Sequence, residues 1–277
     1  MAAFFYASTY VAVRQSVKTL SLAEVAFLRA VLGTGLMLPW IVRSGFSSLR
    51  TSRIGLHTLR AAFGFGATLT WVYAVAHMRI ADVTAIVFAA PLFTVVFTFL
   101  FLGERVGVHR LVALMLGFLG VLVVLRPGSV DVTVPALSAL AAAALFAASH
   151  ATARGLGATE KANSMVFYLF ALAAPMALVP VLFDWRIPSW TEMGWMTLLA
   201  ALALLAQQGL TRALIAAPAS VVMPLHFLQL PIVAVFGLVL FGELSDVRTW
   251  AGAVIIFGSS YYIARRESRN ARRPDPG

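Results

Sequence analysis

Long apolar stretches separated by short charged segments divide this chain into ten predicted helices of membrane-spanning length. A helix needs about 20 apolar residues to cross the hydrocarbon core of a bilayer, and inside lipid each backbone group must bond within its own helix. The predicted helices of the first half are 1–17, 22–42, 56–77, 80–102 and 108–125. Those of the second half are 132–153, 162–183, 192–214, 219–241 and 247–264.

The second half of the chain repeats the first. Segment 93–104 reads FTVVFTFLFLGE and segment 232–243 reads IVAVFGLVLFGE, which places their final glutamates 139 positions apart. The apolar run after each glutamate ends at an arginine with the same separation, and a proline opens each segment within one residue of that register. The residues that mark the register are Pro91, Glu104 and Arg126 in the first copy and Pro231, Glu243 and Arg265 in the second. A repeat built from membrane-length segments is typical of a transport protein with two halves.

The repeat and the basic residues together predict an inverted arrangement. Residues 1–127 form the first five-helix repeat, 132–266 the second, and 267–277 a basic cytoplasmic tail. Because five is an odd number, the second repeat enters the membrane upside down relative to the first, which allows inward-open and outward-open states. With the tail inside, fourteen basic residues lie on the cytoplasmic side and six on the outer side, as the positive-inside rule requires. We therefore expect a multi-pass protein of the inner (plasma) membrane with both termini in the cytoplasm.

Composition supports this interpretation and excludes several others. Hydrophobic residues make up 61% of the chain and charged residues 12%, about half the charged share of soluble proteins. The net charge of +10 would indicate nucleic-acid binding in a soluble protein, but here the arginines lie between apolar runs and no nucleic-acid partner is expected. The chain has no cysteine, which excludes disulfides and thiolate chemistry. It also lacks a nucleotide-binding P-loop and a zinc-protease motif. We therefore expect that the protein has no cofactor, no metal ion and no enzymatic activity.

Short motifs near the helix ends resemble the EamA branch of the drug/metabolite transporter superfamily. In the first half they lie at 27–29 (FLR), 81–85 (ADVTA), 90–92 (APL), 102–105 (LGER), 117–121 (GFLGV) and 125–128 (LRPG), and in the second half at 218–220 (PAS) and 241–243 (FGE). The resemblance covers nearly the whole chain and implies an all-α membrane protein of ten transmembrane helices in two inverted repeats. It implies transport as a class, and the first half is similar to the branch that includes riboflavin and S-adenosylmethionine importers.

Polar and aromatic residues near the middle of the predicted helices are candidates for substrate binding. Polar groups are costly at this depth unless they are paired or face water. His226 and Gln229 lie three apart on one face of helix 219–241, where the alternative is an interhelical hydrogen bond. The pair Gln207–Gln208 offers donors and acceptors to a ligand, and aromatic rings can stack on a planar or cationic one. The predicted cavity is lined by Tyr10, Trp71, Phe88, Gln208, His226 and Gln229.

Two further residues are candidates for gating or coupling, and four for structure. Arg29 places a charge inside helix 22–42, either as an anion contact or as part of an outer gate or structural pair. His150 can titrate near neutral pH, with an interfacial structural role as its alternative. The residues predicted to be structural are Pro91, Glu104, Pro231 and Glu243; each glutamate is expected to cap the next helix in the chain and to fix the intervening turn.

The sequence therefore predicts a secondary transporter that moves a small organic metabolite by alternating access. Amino acids, vitamins and nucleoside-like solutes are the substrate classes considered, with the lipid bilayer as surroundings and with the assembly left open between monomer and homodimer. The alternatives are a passive channel or facilitator, an exporter of drugs or metabolites, a structural membrane subunit and a membrane-embedded enzyme. The sequence leaves the direction of transport and proton coupling open.

Overall fold

The computed structural model consists of α-helices and describes residues 1–90, 92, 93, 97, 108–125, 133–157, 159–216 and 228–270. No strand occurs within these ranges. The helices of the first half are α1 (Ala2–Ser16), α2 (Leu22–Leu36), α3 (Leu38–Ser44), α4 (Ile54–His77), α5 (Ile80–Val87) and α6 (Val108–Leu125). Those of the second half are α7 (Val134–Gly157), α8 (Ala162–Val181), α9 (Trp190–Ala216), α10 (Gln229–Phe241) and α11 (Val247–Asn270).

Much of this helical structure has the length and composition of membrane spans. Within the described ranges, five stretches are long and apolar enough to cross a bilayer: Leu22–Ser44, Ile54–His77, Val134–Gly157, Ala162–Val181 and Trp190–Ala213. Shorter apolar helices accompany them at Met115–Val124, Gln229–Phe241 and Val247–Ser259. The chain is thus an all-α protein with the helices of a multi-pass membrane protein.

The helix boundaries differ from the predicted ones where local chemistry intervenes. Helix 22–42 is broken at Met37, because Pro39 in the first turn of α3 has no N–H to continue the hydrogen-bond ladder. Helix 192–214 starts two residues earlier, at Trp190, since Ser189 and Glu192 exchange the hydrogen bonds of a capping box. The last helix runs past Ala264 to Asn270, with no proline to stop it. Within segment 80–102, helix α5 ends at Val87, residues 88 and 89 form a turn, and residues 90, 92, 93 and 97 are again helical; the other residues of that segment lie outside the described part of the chain.

The most extensive packing joins helices of one half to helices of the other. With α2 and α3 counted as one span, α4 packs on α7 and α8, α1 packs on α9 and α10, and α2 packs on α8 and α9. Two more cross-half pairs are α5 with α10 and α6 with α11. In the predicted repeat each helix has a counterpart five spans away, and exchanging counterparts turns α4–α7 into α9–α1 and α4–α8 into α9–α2, both of which are packed pairs.

Small residues bring the helices of two of these pairs into close contact. In the α6–α11 pair, a Cβ added to Gly252 would stand 2.6 Å from the backbone oxygen of Gly120. In the α2–α8 pair, a Cβ on Gly33 would stand 2.6 Å from the ring of Phe170. Glycine at such positions allows backbones to approach closely without a hydrophobic driving force between helices.

Polar contacts hold the helix ends together in two separate groups. We name the first the Glu243 end: there the ends of α1, α4 and α10 meet the starts of α2, α5 and α9. Glu243 makes some of these contacts, and Arg186 makes others; the backbone N–H of Arg186 donates to Glu24 at 3.1 Å. We name the second the Glu160 end, where Thr51 donates to Glu160 at 2.6 Å and Arg53 to the Gly155 carbonyl at 2.9 Å. Helix α2 starts at the Glu243 end, whereas α8, its counterpart in the predicted repeat, starts at the Glu160 end.

Candidate functional site

A cleft lies between the two ends, where helices of both halves meet. It is formed by α2 and α4 of the first half and by α7, α8 and α9 of the second, and its cavity is narrow in this conformation, with a volume of about 30 Å³. We name it the central cleft; its polar lining is Arg29, Thr68, Ser149, His150 and Gln207, and its aromatic lining is Phe65, Phe146 and Phe170. Arg29 lies about 10 Å along the stretch that begins at Leu22, at 1.5 Å per residue.

Arg29 is the positive charge in the lining of this cleft. Its Nη1 donates to the Thr68 hydroxyl at 3.0 Å, and its guanidinium carbon lies 5.3 Å from the centroid of the Phe170 ring, a cation–π distance. The Nε atom is buried and has no hydrogen-bond partner. Among the described residues, no carboxylate forms an ion pair with Arg29.

Hydrogen bonds fix the polar groups on the other walls of the cleft. The Tyr6 hydroxyl donates to Oε1 of Gln207 at 2.6 Å and so connects α1 with α9. Ser149 donates to the carbonyl of Arg60 at 3.1 Å, and the buried Arg60 donates from Nη1 to the Met165 carbonyl at 2.7 Å. These bonds cross between the two halves, so the geometry of the cleft depends on how the halves are placed.

Three of the six predicted substrate-binding residues come together in a second group, which we name the aromatic cluster: Tyr10, Trp71, Thr84 and Gln229. The rings of Tyr10 and Trp71 are nearly perpendicular, with centroids 5.0 Å apart. The side chains of Trp71, Thr84 and Gln229 all lie near the Tyr10 hydroxyl. Tyr10, Trp71 and Gln229 are only 3%, 6% and 4% exposed, so in this conformation the cluster joins α1, α4, α5 and α10 and is closed to solvent.

The remaining predicted binding and gating residues are distributed differently. Phe88 follows α5 and packs on hydrophobic residues on both sides of it. Gln208 is partly buried beside Gln207 on α9, but it is Gln207 that lines the central cleft, together with the two gating candidates Arg29 and His150. The predicted residue His226 lies outside the described residues.

Glu243 connects helices that are remote from it in sequence. Its Oε1 accepts from Nη2 of Arg14 at 2.6 Å, and its Oε2 accepts from the backbone N–H of Ile80 at 2.9 Å. Arg14 also donates to the carbonyls of Val75 and Met78. Glu243 thus caps the start of α5, in the other half, whereas the sequence predicts a cap on the next helix, α11. Pro231 lies in the first turn of α10, where its missing N–H costs no helical bond; the other two structural candidates, Pro91 and Glu104, are outside the described residues.

Sequence reasoning missed several residues of the central cleft for physical reasons. Thr68 donates to the Gly64 carbonyl one turn earlier on its own helix. Threonines in membrane helices commonly make this bond, so the sequence does not mark Thr68 as a cleft residue. Phe170 is one of 20 phenylalanines, and nothing in its neighbourhood separates it from a lipid-facing ring. The choice between Gln207 and Gln208 depends on the rotation of α9, because neighbouring helical residues point about 100° apart.

Known proteins resemble the chain at the level of sequence and of fold. The sequence profile of the EamA-like transporter family matches residues 1–126. A riboflavin transporter of Brucella anthropi is 33% identical over 254 residues, which is 90% of this chain and 89% of the relative. An S-adenosylmethionine uptake transporter of Rickettsia prowazekii is 30% identical over 247 residues, covering 89% and 84% of the two chains. The pseudopaline exporter CntI of Pseudomonas aeruginosa is 28% identical over 267 residues, covering 96% and 94%.

The fold is also found among solved structures. A crystal structure superposes on 96% of each chain with a TM-score of 0.62 at 18% sequence identity. At this identity the likeness concerns the arrangement of helices.

Proposed function

The chain belongs to the EamA-like transporter family of the drug/metabolite transporter superfamily, and from that premise we propose that it is a secondary transporter for a small organic metabolite. The proposed cycle alternates access to the central cleft between the two helix ends, with no covalent step. The relatives from Brucella, Rickettsia and Pseudomonas are transporters of small molecules by name, which supports the general class.

The observation that carries this proposal is the position of the central cleft. Its walls come from both halves of the chain and its polar groups lie between the Glu243 end and the Glu160 end. Transporters built from inverted repeats bind their substrates near the midplane, where the repeats meet. The cross-half helix pairs that map onto each other, and the opposite starts of α2 and α8, support two inverted five-helix repeats at 1–127 and 132–266.

We propose that the Glu243 end faces the outside of the inner membrane. Arg14, Arg79 and Arg186 lie at this end, and the more numerous basic residues of the other connections lie on the opposite side. Positive charge accumulates on cytoplasmic loops, so both termini, with the basic tail at 267–277, are assigned to the cytoplasm.

The side chains around the cleft suit a solute that carries both a ring and polar groups. Arg29, His150 and Gln207 offer a charge, a titratable ring and an amide, while Phe146 and Phe170 offer aromatic faces. Vitamins, nucleoside-like compounds and amino acids combine such features. The aromatic cluster with Tyr10, Trp71 and Gln229, together with Phe88, Gln208 and His226, is proposed to complete the pathway when the halves move.

Proteoliposomes that contain the protein are expected to take up solute at a rate that saturates with solute concentration, and to show counterflow. Proteoliposomes are incubated with a metabolite mixture that contains riboflavin and S-adenosylmethionine, and the solutes that enter are identified by mass spectrometry against empty liposomes. A solute found in this way should then exchange against its labelled form, because an alternating carrier returns loaded.

Each rival function leaves a different trace in this assay. A channel passes solute without saturation or counterflow, a structural subunit gives no flux, and an enzyme changes the mass of the solute. Any of these results would overturn the proposed function.

A further inference from the structure

We propose that the central cleft binds an anionic group of its substrate, a carboxylate or a phosphate, on the guanidinium of Arg29. The inference rests on the proposed transport function and adds the charge class of the solute. It begins from an electrostatic imbalance: a cation inside a membrane-spanning helix is costly unless it is paired or lies in a water-filled cavity. No carboxylate of the described part of the chain pairs with Arg29.

The carboxylates of Glu24 and Glu160, one at each of the two helix ends, are already in use elsewhere. Glu24, one turn before Arg29, completes the capping box with Ser21 and accepts the backbone N–H of Arg186. Glu160 accepts from Thr51 and lies 3.8 Å from His57 at the Glu160 end. Neither is available to neutralise Arg29, so an anion from the substrate would complete the site.

The guanidinium of Arg29 has unused N–H donors in an arrangement that suits an anion with two oxygens. Arginine has five N–H donors in a planar fork, and the hydrogen bond from Nη1 to Thr68 uses one of them. Its buried Nε has no partner. The ring of Phe170 at 5.3 Å supports one side of the group. A fork that is held in place and partly unused is suited to the two oxygens of a carboxylate or phosphate.

A second buried guanidinium strengthens the positive field of the cleft. Arg60 is 2% exposed, its Nε also has no partner, and its carbonyl accepts from the cleft residue Ser149. Both Arg29 and Arg60 act electrostatically on the Tyr6 hydroxyl, which places them around the same region. Two cations around one cavity, neither with a described counter-ion, attract anions to it.

Snorkelling does not account for the position of Arg29. Its guanidinium meets Thr68 and Phe170, which lie well inside α4 and α8 and not in their terminal turns. A side chain that only escaped from lipid would extend to the nearer helix end.

Thermal unfolding of the full-length protein in detergent tests the inference with matched solute pairs. The six tryptophans report unfolding, and the probes are nicotinate with nicotinamide, adenosine monophosphate with adenosine, and flavin mononucleotide with riboflavin. At least one anionic member is expected to raise the melting temperature by about 2–5 °C, because binding to the folded state stabilises it by mass action. The neutral member of each pair should raise the melting temperature much less. Nicotinate carries a carboxylate and the two nucleotides carry a phosphate, so the pairs show which of the two anionic groups is bound.

Variants then locate the effect. Arg29→Gln is expected to abolish the anion-dependent shift and Arg29→Lys to weaken it, since lysine keeps the charge without the fork. Arg43→Gln, which removes an exposed guanidinium from α3, should leave the shift intact. Without ligand, Arg29→Gln should melt no lower than the parent protein, because it removes a partly buried charge and leaves no described carboxylate without its partner. If Arg29 had only a structural role, the variant would melt at a lower temperature.

Three results would overturn the inference: equal stabilisation by both members of every pair, no stabilisation by any anion, or an Arg29→Gln protein that still responds. The counterflow assay separates this failure from failure of the proposed function. A carrier that exchanges only neutral solutes would remain a transporter without an anion site, whereas absence of flux for every solute would remove both proposals.

Discussion

Replacing Glu243 with glutamine is expected to weaken the Glu243 end and to shift the protein toward the conformation that opens there. The substitution keeps the shape of the side chain and removes the charge that faces Arg14 at 2.6 Å. The two side chains are 22% and 12% exposed, so the loss should lie between that of a surface pair and that of a buried one, at about 2 kcal/mol. A change of this size alters the ratio of two conformations about 30-fold.

A double-mutant cycle separates the ion pair from the other contacts of its members. Arg14→Gln and Glu243→Gln are each expected to lower the melting temperature, and the double variant should be less destabilised than the sum of the two. The reason is that Glu243→Gln leaves the charge of Arg14 unpaired and Arg14→Gln leaves the charge of Glu243 unpaired, whereas the double variant has neither charge. Additive losses would show that the pair contributes nothing beyond the bonds to the carbonyls and to the Ile80 N–H.

Gly252→Ala is expected to disrupt the contact between α6 and α11. The new Cβ would stand 2.6 Å from the backbone oxygen of Gly120 and 2.5 Å from Cγ2 of Val124. Because a backbone atom cannot rotate away, the helices must separate, and overpacking of this kind costs about 1–3 kcal/mol. The measurement is the melting temperature of the purified protein together with its abundance in membranes.

Gly258→Ala is the matched control on the same helix. A Cβ at this exposed position meets no atom within 4 Å, and alanine favours the helix by up to about 1 kcal/mol over glycine. The control should therefore be as stable as the parent or slightly more so. Equal stability of the two variants would mean that α6 and α11 do not pack through Gly252.

The sequence predicts the helices well because membrane spans leave a strong and simple signal. The uninterrupted apolar runs place α4, α7, α8 and α9 within a few residues of their observed ends, since lipid allows a backbone few other conformations. The errors arise where a single residue decides the geometry. Pro39 breaks the second span, and Ser189 moves the start of α9.

The candidate site is harder to predict, because it depends on packing between distant helices. Arg29 and His150 are 121 positions apart in the sequence, yet both line the central cleft. Periodicity tells which residues share a face of one helix, but not which helix that face meets. The same limit applies to Glu243, whose contacts with Arg14 and Ile80 cross the whole chain.

Labelling of one cysteine in the central cleft tests alternating access most directly. The chain has no cysteine of its own, so Ala173→Cys, at a small position in the cleft lining, is the only target for a membrane-impermeant maleimide. In the protein that keeps Glu243, the ion pair with Arg14 holds the Glu243 end closed. The cysteine should then react with maleimide added to the cytoplasmic side, which is exposed in inside-out vesicles. Addition of Glu243→Gln should raise the rate from the outer side and lower it from the inner side. Equal rates from both sides in both proteins, or no change in sidedness, would contradict alternating access through this cleft.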